Sequence, residues 1–187
     1  EQLFLGLTDY DPKTYEVIPE LAAKWSASAD SRTYTFEMRK DVFWSDGVPV
    51  TAHDIEYAIR RNINPETASP YAYVLYILEG AEAINKGESK DFNSLGVRAV
   101  DDYTVEFRLT QPAGFFPAMA GLWTYRPLPR RSIEAFGTAW TEPEHILTNG
   151  SYRLATWDKG TQLILKRNPD YKDSVTQQPA QIEEVNY

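Results

Sequence analysis

Two histidines, His53 and His145, are the imidazoles that this 187-residue sequence offers to acid–base or nucleophilic chemistry. A Ser–His hydrolase needs one of them beside a hydroxyl nucleophile, and no Gly-x-Ser-x-Gly elbow presents such a serine. His53 falls in the first turn of a predicted helix and His145 in a polar loop, positions that suit solvated surface. Cysteine is absent, which excludes a thiolate nucleophile, a disulfide scaffold and any Cys-ligated zinc or iron–sulfur centre. There is no His-Glu-x-x-His, no Gly-x-Gly-x-x-Gly and no Gly-x-x-x-x-Gly-Lys-[Ser/Thr], so neither a zinc, a dinucleotide nor a P-loop site is expected. Asp9 with Asp11 and Asp170 with Asp173 bring carboxylates together. Neither pair continues with the Gly and terminal Glu of a calcium loop, and both read as turn formers beside Pro12 and Pro169. The sequence therefore predicts no catalytic residue, no cofactor and no metal.

Aromatic side chains remain as candidates. Tyr71, Tyr73 and Tyr76 follow Ser69-Pro70, and Trp123 with Tyr125 precedes Pro127 and Pro129. Rings in polar-bordered loops give a ligand large apolar area and a polar tip at low entropy cost. The same spacing also suits packing in a core or at its rim, and the residues alone leave both open. Asn149-Gly150-Ser151 matches a glycosylation sequon but reads first as a turn feeding the strand that begins at Tyr152.

The elements that must carry these residues are legible from periodicity. Residues 32–40 alternate Tyr34, Phe36 and Met38 against polar neighbours, the period of a strand with one buried face. Thr51 and Asp54 form a Thr-x-x-Asp variant of the capping box. It opens a helix that presents Ile55, Ala58, Ile59 and Asn62 on one face and runs to about Asn62 before Asn64-Pro65. Residues 71–86 look helical with a break near Gly80. Residues 97–100 and 103–109 flank Asp101-Asp102 as a hairpin, and residues 152–157 and 161–167 form a second over Asp158-Lys159-Gly160. Short helices are expected at 114–121 and at 130–137, the latter with a Gly stop. Interleaved strands, helices and hairpins make the fold class α/β, mixed with α+β.

Composition bounds the partners. The 42% apolar, 25% charged and 13% aromatic content is that of a folded globular chain. Its 19 Lys and Arg against 27 Asp and Glu give a net charge of −8, unlike the basic face of nucleic-acid binders. No apolar run of about 18 residues occurs, so no membrane-spanning helix is expected. Glu1-Gln2-Leu3-Phe4-Leu5 shows neither a basic leader nor a small-residue cleavage site, so a signal segment is expected to be absent from this chain or already removed.

Several stretches, in order along almost the whole chain, resemble the family 5 extracellular solute-binding proteins, the oligopeptide, dipeptide and nickel receptors of ABC transporters. They are Leu3-Phe4-Leu5-Gly6-Leu7, Pro19-Glu20-Leu21-Ala22-Ala23-Lys24-Trp25, Thr33-Tyr34-Thr35-Phe36, and Trp44-Ser45-Asp46-Gly47-Val48-Pro49-Val50-Thr51-Ala52-His53-Asp54. They continue through Thr67-Ala68-Ser69-Pro70-Tyr71-Ala72-Tyr73, Leu95-Gly96-Val97, Asp101-Asp102-Tyr103-Thr104, Trp140-Thr141-Glu142-Pro143, Asn149-Gly150-Ser151-Tyr152 and Arg167-Asn168-Pro169-Asp170-Tyr171. The Ser-Pro-Tyr-Ala-Tyr stretch is most similar to the oligopeptide-binding branch.

The resemblance implies a periplasmic-binding-protein type II-like lobe with an inserted subdomain, the second lobe being absent from this chain. It implies an inserted subdomain over residues 5–129 and a returning segment of the ligand-binding first lobe over 130–187 together with 1–4. The implied role is the substrate-binding component of a bacterial ABC importer, periplasmic or at the cell surface, and not an enzyme. Its partners would be a peptide or other small solute and an inner-membrane ABC permease, with the membrane met only through that permease or a lost lipid anchor. Tyr71 would fall at a ligand-contacting position, with Tyr73, Asn149 and Gly150 added by adjacency. Two readings of other classes stand beside it: an enzyme such as a Ser–His hydrolase using His53 or His145, and a non-transport interaction module with the same fold.

Overall fold

The protein is described from a computed structural model over residues 2–187. The chain divides into two compact units. One comprises Gly6–Arg39 and Thr51–Leu128, the other the residues through Leu5, Lys40–Val50 and Pro129–Tyr187. The stretch 40–50, assigned from sequence to the inserted subdomain, belongs to the second of these, because Trp44 and Ser45 are held by partners there. Ser45 N–H donates to the Thr148 carbonyl at 2.8 Å, and the Trp44 ring meets Phe4 edge-on at 6.3 Å.

The first unit is built on sheets. A short ribbon pairs β1 (Thr8–Tyr10) with β2 (Val17–Pro19). A four-stranded antiparallel sheet has β3 (Ala22–Ala27) and β4 (Thr33–Met38) on one side and β5 (Val97–Asp101) and β6 (Thr104–Arg108) on the other, in the order β3-β4-β6-β5. The alternation read at 32–40 becomes register: Tyr34 lies opposite Phe107 and Phe36 opposite Val105. All four are at most 3% exposed.

Helix α1 (Ala52–Ile63) covers the sheet at β5 with Ile55, Ala58, Ile59 and Ile63 buried. Each fully buried isoleucine contributes about 2 kcal/mol from apolar area removed from water. At its N-terminus the Asp54 carboxylate accepts the Thr51 N–H at 2.9 Å and the Thr51 hydroxyl at 3.3 Å, while Asp54 N–H goes to the Thr51 carbonyl. The box thus closes through the carboxylate.

Residues 71–86 do not form one helix. They wind into a single 3-10 turn over Ala72–Leu75, a bridge from Leu78 to Leu109, and then α2 (Ala81–Asn85), with Gly80 at φ +70° as the break. The bridge draws Leu78 out of helical geometry to pair with Leu109, just past the end of β6. Helix α3 (Phe116–Met119) sends Phe116 into the core, where it meets Phe107 at 5.2 Å and Tyr34 at 5.2 Å.

In the second unit, α4 (Arg130–Phe136) precedes a three-stranded sheet of β7 (Tyr152–Asp158), β8 (Gln162–Arg167) and β9 (Glu184–Asn186). The expected hairpin is present as β7–β8. Its core gathers Tyr152, Leu154 and Leu165, with Leu3, Ile146 and Val185 packed around them. The segment before Leu5 is tied down by its backbone. Gly150 N–H donates to the Leu3 carbonyl at 3.0 Å and Tyr152 N–H to the Gln2 carbonyl at 2.9 Å.

A Cβ on Gly150 would stand 2.4 Å from the Gln2 carbonyl oxygen, a backbone atom that cannot yield cheaply. Gly150→Ala is therefore expected to cost about 2–3 kcal/mol and to lower Tm by roughly 5–10 °C. Gly114→Ala, where an added Cβ meets nothing within 4 Å, should leave the melt almost unchanged in the same calorimetric scan.

Glu20, between β2 and β3, is half-buried, and its carboxyl accepts the Gly6 N–H at 2.6 Å. Burial, joined by the Asp9 charge, pushes its pKa up to about 8 against the opposing pull of Gly6 and Arg126. A raised folded-state pKa means that stability is fully present below the unfolded value of 4.5 and is lost as pH rises through about 8. Glu20→Gln should match the wild-type chain near pH 4 and be more stable at pH 8.5, by up to a few kcal/mol. Denaturant unfolding at the two pH values checks this; an equal difference at both would contradict it.

Candidate functional site

The Ser69-Pro70-Tyr71 stretch is shaped by local hydrogen bonds before any tertiary contact. Asn64 caps a 3-10 turn over Pro65–Thr67 by accepting the Glu66 N–H at 3.1 Å, and Ala68 then takes a left-handed conformation at φ 51°. Ala72 N–H returns to the Ser69 carbonyl at 3.3 Å, Val74 N–H to Tyr71 at 3.1 Å and Tyr76 N–H to Tyr73 at 3.2 Å. In a 3-10 turn, side chains three apart share a face. Ala72 and Leu75 accordingly point inward at 3% and 0% exposure, which turns Tyr71 and Tyr73 outward at 47% and 61%.

A second 3-10 turn, Trp123–Tyr125, supplies the third ring. Trp123 is 59% exposed and meets Tyr71 edge-on, with ring centroids 5.7 Å apart at 85°; Tyr71 and Tyr73 are 6.4 Å apart. Tyr125 points the opposite way. It is wholly buried, packs on Phe116 at 5.7 Å and Phe107 at 6.1 Å, and its hydroxyl donates to the Val74 carbonyl at 3.5 Å. Burial pushes the Tyr125 phenol pKa well above its ordinary value, so the hydroxyl stays a donor. Trp123 and Tyr125 were one aromatic group in the sequence; the structure separates an exposed ring from its anchor. The missing signal was the 3-10 turn, which is too short to leave a period.

Asn149 and Gly150 lie in the other unit and are buried, Asn149 at 2% exposure. Asn149 Oδ1 accepts the Leu5 N–H at 3.1 Å, and the Gly150 carbonyl accepts from Asn168 Nδ2 at 2.9 Å. The turn therefore braces the backbone of residues 2–5, and of the four singled-out residues only Tyr71 and Tyr73 are brought together at a surface. Asn149 is also too buried to serve as an exposed glycosylation acceptor.

His53 Nε2 lies 3.4 Å from Asp102 Oδ1, both side chains largely exposed, and the His145 ring stacks on Phe136 at 3.8 Å. Among the described residues neither imidazole hydrogen-bonds a Ser or Thr hydroxyl. The paired aspartates serve turns, as expected. Asp11 accepts the N–H groups of Lys13 and Thr14, Asp173 accepts those of Val175 and Thr176, and Asp170 holds Arg153 at 2.7 Å. No group of three or more His, Cys, Asp or Glu side chains poised for a metal occurs among the described residues. What the exposed rings supply is apolar area with hydroxyl and indole N–H tips, a surface for binding.

Comparison with known proteins agrees in kind. Residues 16–187 match the family model of bacterial extracellular solute-binding proteins, family 5 middle. The periplasmic oligopeptide-binding protein OppA of Escherichia coli K12 is 41% identical over 171 residues, which cover 90% of this chain and 31% of that protein. The OppA structure from Burkholderia pseudomallei superposes with a TM-score of 0.91 at 33% identity, covering 100% of this chain and 36% of the other. That of Haemophilus influenzae OppA, solved in complex with RPPGFSPFR, gives 0.86 at 38% identity over 91% of this chain and 33% of the other. The chain thus spans about a third of the length of the relatives it matches. The ordered motifs, the fold they produce and these likenesses place the chain in one group: it belongs to family 5 of the bacterial extracellular solute-binding proteins.

Proposed function

We propose that this chain is the part of a two-lobed peptide receptor that presents one wall of the ligand cleft. The receptor serves a bacterial ABC importer outside the cytoplasmic membrane and delivers its ligand to the permease. The observation that carries this reading is the outward trio of Tyr71, Tyr73 and Trp123, 47–61% exposed and joined by ring contacts through Tyr71, on a scaffold that packs Tyr34, Phe36, Phe107, Phe116 and Tyr125 inside. It sits on the Ser-Pro-Tyr stretch that resembles the oligopeptide-binding branch, and the similar OppA proteins are named for oligopeptide binding. The first unit then corresponds to the inserted subdomain and the second to the returning part of the first lobe. Asn149 and Gly150 act as the brace between returning strand and chain start, and the peptide is met by Tyr71 and Tyr73.

Such a receptor does no covalent chemistry. Peptides bind through main-chain hydrogen bonds in an extended form while rings and hydrated pockets receive side chains. Closure of the two lobes is a hinge motion that the permease reads. That neither imidazole hydrogen-bonds a Ser or Thr hydroxyl among the described residues favours this over the hydrolase reading.

Isothermal titration of the longer receptor that carries this chain, with mixed tri- to pentapeptides, tests the reading. Saturable heat is expected, with Tyr71→Ala weakening affinity about tenfold, roughly 1–1.5 kcal/mol for one lost ring contact. Heat with nickel chelates or sugars and none with any peptide would move the substrate elsewhere in the family.

A further inference from the structure

In this acidic chain arginines usually find carboxylates: Arg60 pairs with Glu56, Arg108 with Glu79 and Arg131 with Asp46. Arg61 and Arg126, both in the unit that carries Tyr71, are among those that depart from that pattern. The Arg61 side chain makes no hydrogen bond or ion pair among the described residues, and Arg126 has a buried Nε with no partner. Both line the same cavity, of about 350 Å³, with Ser69, Pro70, Trp123 and Thr124, and no carboxylate lines it. Thr124 is 5% exposed, and its Oγ1 is likewise buried without a partner. Buried polar atoms are almost always satisfied, so two orphans on residues that line one cavity mark a place where a hydrogen-bonding group belongs.

The charge of Arg126 is also left standing. The acid that acts on it, Glu20, is pushed up to about 8 by burial and is therefore mostly neutral at pH 7. Two guanidiniums in a concave, partly desolvated site favour a planar anion that can accept several N–H donors. The volume sits at the small end of the ligand-pocket range of about 300–1,000 Å³, which suits one carboxylate-bearing side chain or chain end rather than a folded ligand. Trp123 belongs both to this lining and to the exposed aromatic trio, so the cavity opens beside the proposed peptide face.

We propose that this cavity is a carboxylate subsite, in which Arg61, Arg126 and the Thr124 hydroxyl receive the carboxylate of a peptide, carried by an acidic side chain or by the C-terminus. The peptide as source rests on the function proposed above; the carboxylate chemistry rests on the cavity alone.

The test follows the arginine Nε–H signals of the 187-residue chain by ¹⁵N NMR during titration with three tripeptides and with sodium acetate. The peptides are acetylated, amidated Ala-Glu-Ala; acetylated, amidated Ala-Gln-Ala; and acetylated Ala-Gln-Ala with a free C-terminus. Saturable movement of the Arg126 Nε–H signal is expected with one or both carboxylate-bearing peptides, and which of them acts identifies the source. The amidated Gln peptide should bind about tenfold more weakly or worse. Arg126→Gln and Thr124→Val should abolish the preference while melting as the wild-type chain does. If the three peptides bind alike and the arginine signals stay put, the subsite is overturned while the peptide reading stands. Movement with acetate and with no peptide would keep the subsite and overturn its peptide source. No movement with any probe at tens of millimolar would overturn the subsite, and the preference of the unmutated chain decides even if a variant fails to fold.

Discussion

Tyr125 is wholly buried between Phe107 and Phe116, with its hydroxyl on the Val74 carbonyl, and the outward trio of Tyr71, Tyr73 and Trp123 hangs from that anchor. A 3-10 turn rotates side chains by about a third of a turn per residue, so fixing Tyr125 inward leaves Trp123 outward. The hydroxyl ties the same turn to the turn that carries Tyr71 and Tyr73. Ring pairs of this kind are worth about 0.5–1.5 kcal/mol each beyond the area they bury. The cluster of Tyr34, Phe36, Phe107, Phe116 and Tyr125 is the packed base beneath these two short turns. A binding face on loops needs such a base, because each loop alone is a single turn with few backbone hydrogen bonds of its own.

Period decided how much of the fold was legible. The alternation of Tyr34, Phe36 and Met38 needed no partner to be read, nor did the hairpin arm over 103–109, and the structure returns Tyr34, Phe36 and Met38 and, on β6, Val105 and Phe107 as buried strand faces. Helix α1 was readable for the same reason. Strand β3 was not: it lies at a sheet edge with Ala22 buried and Lys24 and Trp25 on the outside or rim, so no alternation survives. β1, β2 and β9 span three residues each, shorter than any period. The stretch 71–86 carried helical composition, and the bridge from Leu78 to Leu109 overrode it.

The candidate site was legible to a different degree. Tyr71 and Tyr73 came from the motif, and the structure exposes both, whereas Asn149 and Gly150 came from adjacency and lie buried against residues 2–5. Nothing in composition separates Trp123 from Tyr125, since only the core decides which ring turns in. One faint signal for the unmatched cations was present in the helix. Arg60 has Glu56 four residues before it, while Arg61 has Tyr57 in that place, so an ion pair within the helix was available to one and not to the other. Arg126 had no comparable mark, because its setting comes from Glu20 and Thr124, remote in the chain or unreadable without the fold.

Hydrogen–deuterium exchange on the longer receptor, with and without a bound peptide, addresses the placement of the ligand face most directly. Residues 69–76 and 122–126 are expected to gain the strongest protection within this chain, with the β7–β8 hairpin little changed. Protection confined to residues 149–167, with the two aromatic turns exchanging as in the free protein, would contradict that placement.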